Sequence, residues 1–215
     1  PGPLGRYFAG SPWMNGLILN EADRYYLPSG LLEALAALPR EGHAGAVLCV
    51  HETGLFIPIL AGWPVYSGHF GETLGFRGKN ASIRAFMDPD MSDEARRLFL
   101  SESGISFIVW EPRLEQLGKW RADGRKWLKA VRRSGPYTLF RVVPGPLIPD
   151  YSRASLRPEL SYYRFLAGGI MDMNEGYFES AILSFSAALA ARSGDRKAMA
   201  LARRAAQLSS MKTAR

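Results

Sequence analysis

Two short runs pair an imidazole with a carboxylate. The first is His51-Glu52-Thr53-Gly54 and the second is Gly68-His69-Phe70-Gly71-Glu72-Thr73. A histidine beside a glutamate can move a proton or hold a hydroxyl or an anion near neutral pH. The glycines flanking His69 leave backbone N–H groups able to face an anion. Two histidines and two glutamates could also ligate a metal, but their spacing matches no zinc pattern. Capping and loop hydrogen bonding remain a third use for the same side chains. No nucleophile elbow, phosphate-binding loop or dinucleotide fingerprint accompanies them. His51, Glu52, His69, Glu72 and Thr73 are therefore candidate substrate or contact residues, with no catalytic residue, metal or cofactor expected.

The elements that must position these runs follow from apolar patterning. Ser29 reads as the N-cap of a helix carrying Leu31, Leu32, Leu35 and Leu38, stopped by Pro39. The continuous apolar run Ala46 to Val50 is the signature of a strand buried on both faces. His51 falls just past its end. Gly54 to Leu60 reads as a short helix limited by Pro58, and Pro64 to Ser67 as a second strand. Lys79 to Met87 and Ser92 to Ser103 are amphipathic helices, the second capped by Ser92. Gly104 ends it before the strand Ile105 to Trp110. Gly124 to Arg133 reads as a basic helix, and Pro136 to Val143 as a last strand. This alternation predicts an α/β fold, a small mainly parallel sheet with the final strand antiparallel at an edge. Ligands of such sheets gather outside the carboxyl ends of the parallel strands, where both His-Glu runs fall.

Pro144-Gly145-Pro146 and Pro149 mark a linker, after which the chain turns helical and alanine-rich. The expected organisation is an irregular lead-in over 1–21, an α/β domain over 22–146 and a helical tail over 147–215. In the tail, the spacing of Gly169, Gly176, Phe178, Ala181, Phe185 and Ala188 resembles one tetratricopeptide repeat. Small residues would let two antiparallel helices approach while the aromatics fill the groove. The match lies mostly in the second helix. Gly168 and Asp172 stand where a large apolar residue and an aromatic are usual. A further helix, Asp195 to about Met211, would stack next. A single repeat cannot bury its own apolar face, so the tail must pack on the α/β unit or on a partner.

The 215 residues carry 27 Lys and Arg against 20 Asp and Glu, a net charge of +7. The excess is local. Residues 113–133 and 192–215 each carry +6, leaving −5 on the remainder. In the first stretch Lys119, Trp120, Arg121, Arg125, Lys126, Trp127 and Arg132 combine cations with two tryptophans seven apart, on one face if the segment is helical. That is the composition of an anionic-surface anchor, with anionic lipid or lipid phosphate as partner. A solvated helix face with its tryptophans in the core is the alternative. Nucleic acid is the weaker match, because no binding motif accompanies the charge. The longest charge-free run, Thr53 to Gly71, contains two prolines and four glycines and is no membrane span. A single cysteine, Cys49, allows no internal disulfide. Pro1 rather than methionine begins the chain, which reads as a processed product or a fragment, and no signal peptide is visible.

The run Val47 to Thr73 also resembles a segment of bacterial polytopic membrane glycosyltransferases. The carrying pattern is a strand, then Gly54-Leu55-Phe56-Ile57-Pro58, then Val65-Tyr66-Ser67-Gly68-His69-Phe70-Gly71-Glu72-Thr73. Lys79, Phe86 to Met91 and Gly104 to Val109 continue it in order, and Arg24-Tyr25-Tyr26-Leu27-Pro28 precedes it. The likeness covers roughly residues 22–112. It implies an extracytoplasmic, periplasmic-side domain that follows the last membrane helix of an enzyme using a lipid-linked sugar donor. The catalytic carboxylates of such enzymes lie in loops between membrane helices, so this chain would be a non-catalytic accessory domain. Its partner would be the membrane-embedded part of the same parent. An adaptor that binds a protein partner through the repeat-like tail is the alternative.

Overall fold

The fold is known from a computed structural model, which describes residues 27–40, 44–69, 71–144 and 150–213. The lead-in expected over 1–21 lies outside these residues, as does the break expected at 146/147.

The chain opens with α1 (Ser29–Leu35), whose Leu31, Ala34 and Leu35 face the core. Pro28, not Ser29, is its N-cap, and Ser29 is already helical; the missing N–H of a proline costs nothing at that position. Next come β1 (Ala46–Leu48), α2 (His51–Gly54) and α3 (Ile57–Ala61). The single helix expected over Gly54–Leu60 is thus two short ones, restarted with Pro58 in the first turn of α3. The strand expected at Pro64–Ser67 reduces to one parallel bridge, Val65 to Val47.

There follow α4 (Phe76–Phe86), α5 (Asp93–Glu102), β2 (Ile105–Trp110) and α6 (Pro112–Gln116). Ser92 caps α5 as expected, its Oγ accepting from the Ala95 N–H at 3.1 Å. Glu159 reaches the same cap from the tail. The sheet closes with β3 (Leu128–Ser134) and β4 (Tyr137–Val142). Here the expectation of a basic helix over Gly124–Arg133 is corrected: residues 128–134 are a strand, joined to β4 by a turn through Gly135, whose φ is +56°. A two-residue turn with positive φ matches the twist of a hairpin, and that local pairing decides against the helix.

The strand order is β1-β2-β4-β3. β1 and β2 run parallel, while β2 with β4 and β4 with β3 run antiparallel, so the sheet is mixed. The hairpin adds the β3–β4 pair that a helix at 124–133 would have left out, and places the last strand between β2 and β3, not at the expected edge. Helices cover both faces. Ile108 and Trp110 of β2 point to a cluster with Ile83, Phe86, Phe99 and Phe140. Phe107 and Val109 point the other way, to Leu31, Leu35, Cys49, Ile57 and Trp63. Alternate residues of a strand buried on both faces sort in this manner.

An α/β unit with a helical C-terminal part is therefore the observed architecture. The tail is α7 (Asp150–Asn174), α8 (Phe178–Ala191) and α9 (Arg196–Thr213). α7 packs along α4 and α5, α8 folds back on α7, and α9 on α8. Arg77 of α4 holds both Asp172 of α7 and, at 2.8 Å, Glu175 just past its end. Asp172 also accepts from Ser180 at 2.7 Å. An aromatic at position 172 could not make this link between the two parts.

Candidate functional site

β1 and β2 end side by side, and each delivers polar side chains at its carboxyl end. α2 begins directly after β1 and carries His51, Glu52 and Thr53 on one turn. Glu111 follows β2. It is 2% exposed, and its Oε2 accepts a hydrogen bond from the Thr53 hydroxyl at 2.8 Å. The Val50 N–H donates to the same carboxyl. Oε1 has no hydrogen-bond partner among the described residues. Burial dominates and pushes the Glu111 carboxyl up to about 7, against the lowering effect of Thr53, Val50 and Arg113.

His51 shifts the opposite way. Burial lowers its pKa first, the Glu52 carboxylate 3.1 Å from Nδ1 opposes that, and Arg113 and Arg84 lower it further. Its ring stands edge-on to Phe76 at 5.3 Å. Cys49, just past β1, is fully buried, and burial and then the Glu111 and Glu52 charges hold its thiol protonated. The site therefore offers an imidazole that burial holds toward its neutral form and a buried carboxyl that keeps its proton far more readily than an exposed one. Such groups exchange hydrogen bonds with hydroxyl-bearing ligands and act as an anion trap only weakly.

The second His-Glu run folds against the first. Gly54 lies so close to the Ser67 carbonyl that a side chain there would collide with it, and Gly54 also abuts Gly68. This contact requires glycine at position 54, and a Cβ at Gly68 would crowd the Gly54 carbonyl at 3.1 Å. Beyond it the loop turns on itself: the Gly68 N–H donates to Thr73 Oγ1 at 3.1 Å, and the Gly71 N–H to His69 Nδ1 at 3.2 Å. His69 and Glu72 are exposed. The backbones of the two runs therefore meet, but Glu111 and Thr53, not His69 and Glu72, form the buried polar pair with the His51 turn. No group of three or more His, Cys, Asp or Glu suited to a metal occurs among the described residues.

Glu111 is the residue that sequence patterning passed over. Its signal was available: an acid directly after the most apolar strand, followed by a proline that starts a helix. Around it lies exposed apolar surface. Leu55 and Leu60 are exposed, Ile59 is 82% exposed, and Leu74, two residues from the ring that touches His51, is 91% exposed. Leu55 just past α2, Ile59 and Leu60 in α3 and Leu74 before α4 are thus four exposed apolar side chains on the segments that follow β1.

The basic stretch is placed differently from a surface anchor. Trp120 is buried, stacked on half-buried Trp127 at 5.8 Å, with the Arg96 guanidinium 4.5 Å from its ring. Arg96 is itself buried and donates to the carbonyls of Phe86, Asp88 and Met91, closing the end of α4. Arg125 pairs with Asp93 at 2.8 Å, Arg132 with Glu33 at 3.3 Å, and Arg121 donates to the Trp120 carbonyl. Lys119 and Lys126 are exposed.

In the tail, Phe185, Ala181 and Ala188 are fully buried in one cluster. A Cβ at Gly169 would lie 2.5 Å from the Phe185 ring, so only glycine allows the close approach of α7 and α8. Gly176 takes φ +78° in the turn between them. Phe178 begins α8, with Lys212 Nζ 5.9 Å from its ring centre.

Comparison with known proteins finds no matching family model, no matching curated protein and no matching solved structure.

Proposed function

We propose that this chain is a non-catalytic accessory domain of a membrane-embedded glycosyltransferase that uses a lipid-linked sugar donor. Its α2–α3 face and residues 71–75 turn toward the membrane part of the same parent, on the extracytoplasmic side. The reading starts from the resemblance over Val47–Thr73. The observation that supports it best is the exposure of Leu55, Ile59, Leu60 and Leu74 on the segments that follow Thr53, which is paired with Glu111. Exposed apolar side chains on the turn that carries hydrogen-bonding groups suit contact with a hydroxyl-rich acceptor or donor group presented from an apolar phase. Among the described residues no helix is long and apolar enough to cross a membrane, so the membrane part in this reading is a separate segment of the parent. The complete reading frame tests it. Several hydrophobic helices upstream of these residues are expected, and a frame encoding no membrane span would overturn the assignment.

A second reading is favoured by the tail alone. Leu183 is 72% exposed on α8, and Met211 is exposed on α9. A protein adaptor would use that outward surface. Recovery of a partner by the full chain, abolished by Leu183→Glu, separates this role from the first.

A further inference from the structure

A cleft of about 480 Å³ opens where α7 crosses α4 and α5, bounded by both parts of the molecule. Its apolar lining comes from Met91, Phe99, Ala85 and Leu160. Tyr66 adds a phenol ring set edge-on to Phe99 at 5.3 Å. Two guanidiniums line it from α7. Arg157 and Arg164 are seven residues apart, hence on one face and about 10 Å apart along the axis. Arg157 is held by Glu102 at 3.3 Å. Arg164 makes no ion pair with the described residues and lies 5.2 Å from the Phe165 ring centre. A third cation, Lys79, sits over the Tyr66 ring at 5.3 Å. One carboxylate thus faces two arginines, next to two aromatic rings.

We propose that this cleft binds a small organic oxyanion carried on a flat apolar ring. Guanidinium forks match the oxygens of phosphate or carboxylate, and Arg164 is the one whose fork is not committed to a carboxylate. The ring of the ligand packs against Phe99 and Tyr66, where edge and face contacts are both available. The volume accepts a body of that size and excludes a folded polymer. Because its walls come from α4, α5 and α7, an occupant ties the tail to the α/β unit. Nothing in the cleft depends on the membrane-facing role proposed above.

Titration calorimetry of the intact chain with 1-naphthyl phosphate tests this, with inorganic phosphate and 1-naphthol as the two half-ligands. One saturable site is expected, with each half-ligand at least tenfold weaker. Arg164→Gln and Arg157→Gln should each weaken naphthyl phosphate at least tenfold, and Lys129→Ala, on the sheet edge, should not. Binding should also raise the thermal midpoint of the parent and not that of Arg164→Gln. No saturable binding overturns the proposal. So does unchanged affinity in Arg164→Gln, or equal affinity for naphthol.

Discussion

The Thr53 hydroxyl donates to Glu111 Oε2 at 2.8 Å across 58 positions of sequence, joining the ends of β1 and β2. This bond fixes where the chain can do something other than fold. It presents a buried acid, a hydroxyl and the His51 turn at the carboxyl edge of the only parallel pair among the named strands.

The acid makes stability depend on pH. Its folded pKa is about 7, above its unfolded value, so the folded state keeps a proton that the unfolded state has released. Below the unfolded pKa both states hold the proton and there is no cost. As pH rises toward 7 the cost grows, reaching about 3 kcal/mol and then levelling. Glu111→Gln cannot ionise and keeps an oxygen for Thr53. Its urea midpoint should change less than the parent's between pH 5 and pH 7.5. Parallel profiles would show that burial does not act on this carboxyl.

The helical hairpin depends on one glycine and one phenylalanine. Phe185→Ala should destabilise by about 3–5 kcal/mol, since the ring is fully buried. Gly169→Val should cost about 1–3 kcal/mol or more by driving a side chain into that ring. Thermal midpoints read both. A Gly169→Val midpoint equal to the parent's would mean that α7 and α8 do not pack this closely.

Arg77 joins the tail to the α/β unit through Asp172 and Glu175. Arg77→Ala leaves Asp172, 6% exposed, beside another carboxylate. The loss should be about 1–2 kcal/mol, the screening of the half-exposed guanidinium holding it at the low end. Adding Asp172→Asn should restore part of it, and a denaturant series on both variants checks the recovery. An additive double variant would remove the link.

Much of this was legible beforehand, for identifiable reasons. β2 was plain because Ile105 to Trp110 is a continuous apolar run behind a glycine stop. The α5 cap was plain because Ser92 precedes two acids. The hairpin pair Gly169 and Phe185 was expected from the spacing that resembles a tetratricopeptide repeat. Lys129 to Arg133 misled because its charges stand on an edge strand exposed on both faces, which carries no period-two signal. Trp120 and Trp127 were spaced as a helix face yet stack on each other, Trp120 buried and Trp127 half-buried, because Arg96, distant in sequence, lies over the Trp120 ring. Glu111 went unread because single acids after strands are common. Its significance comes from burial and from Thr53, and neither is local.

The most direct test of the membrane-facing role is photo-crosslinking from position 59 in the intact parent protein, in native membranes. A photoreactive residue replacing Ile59 should couple to the hydrophobic segments of the same protein or to lipid, and one replacing Lys129 should not. Equal yields from the two positions, or none from position 59, would contradict the account.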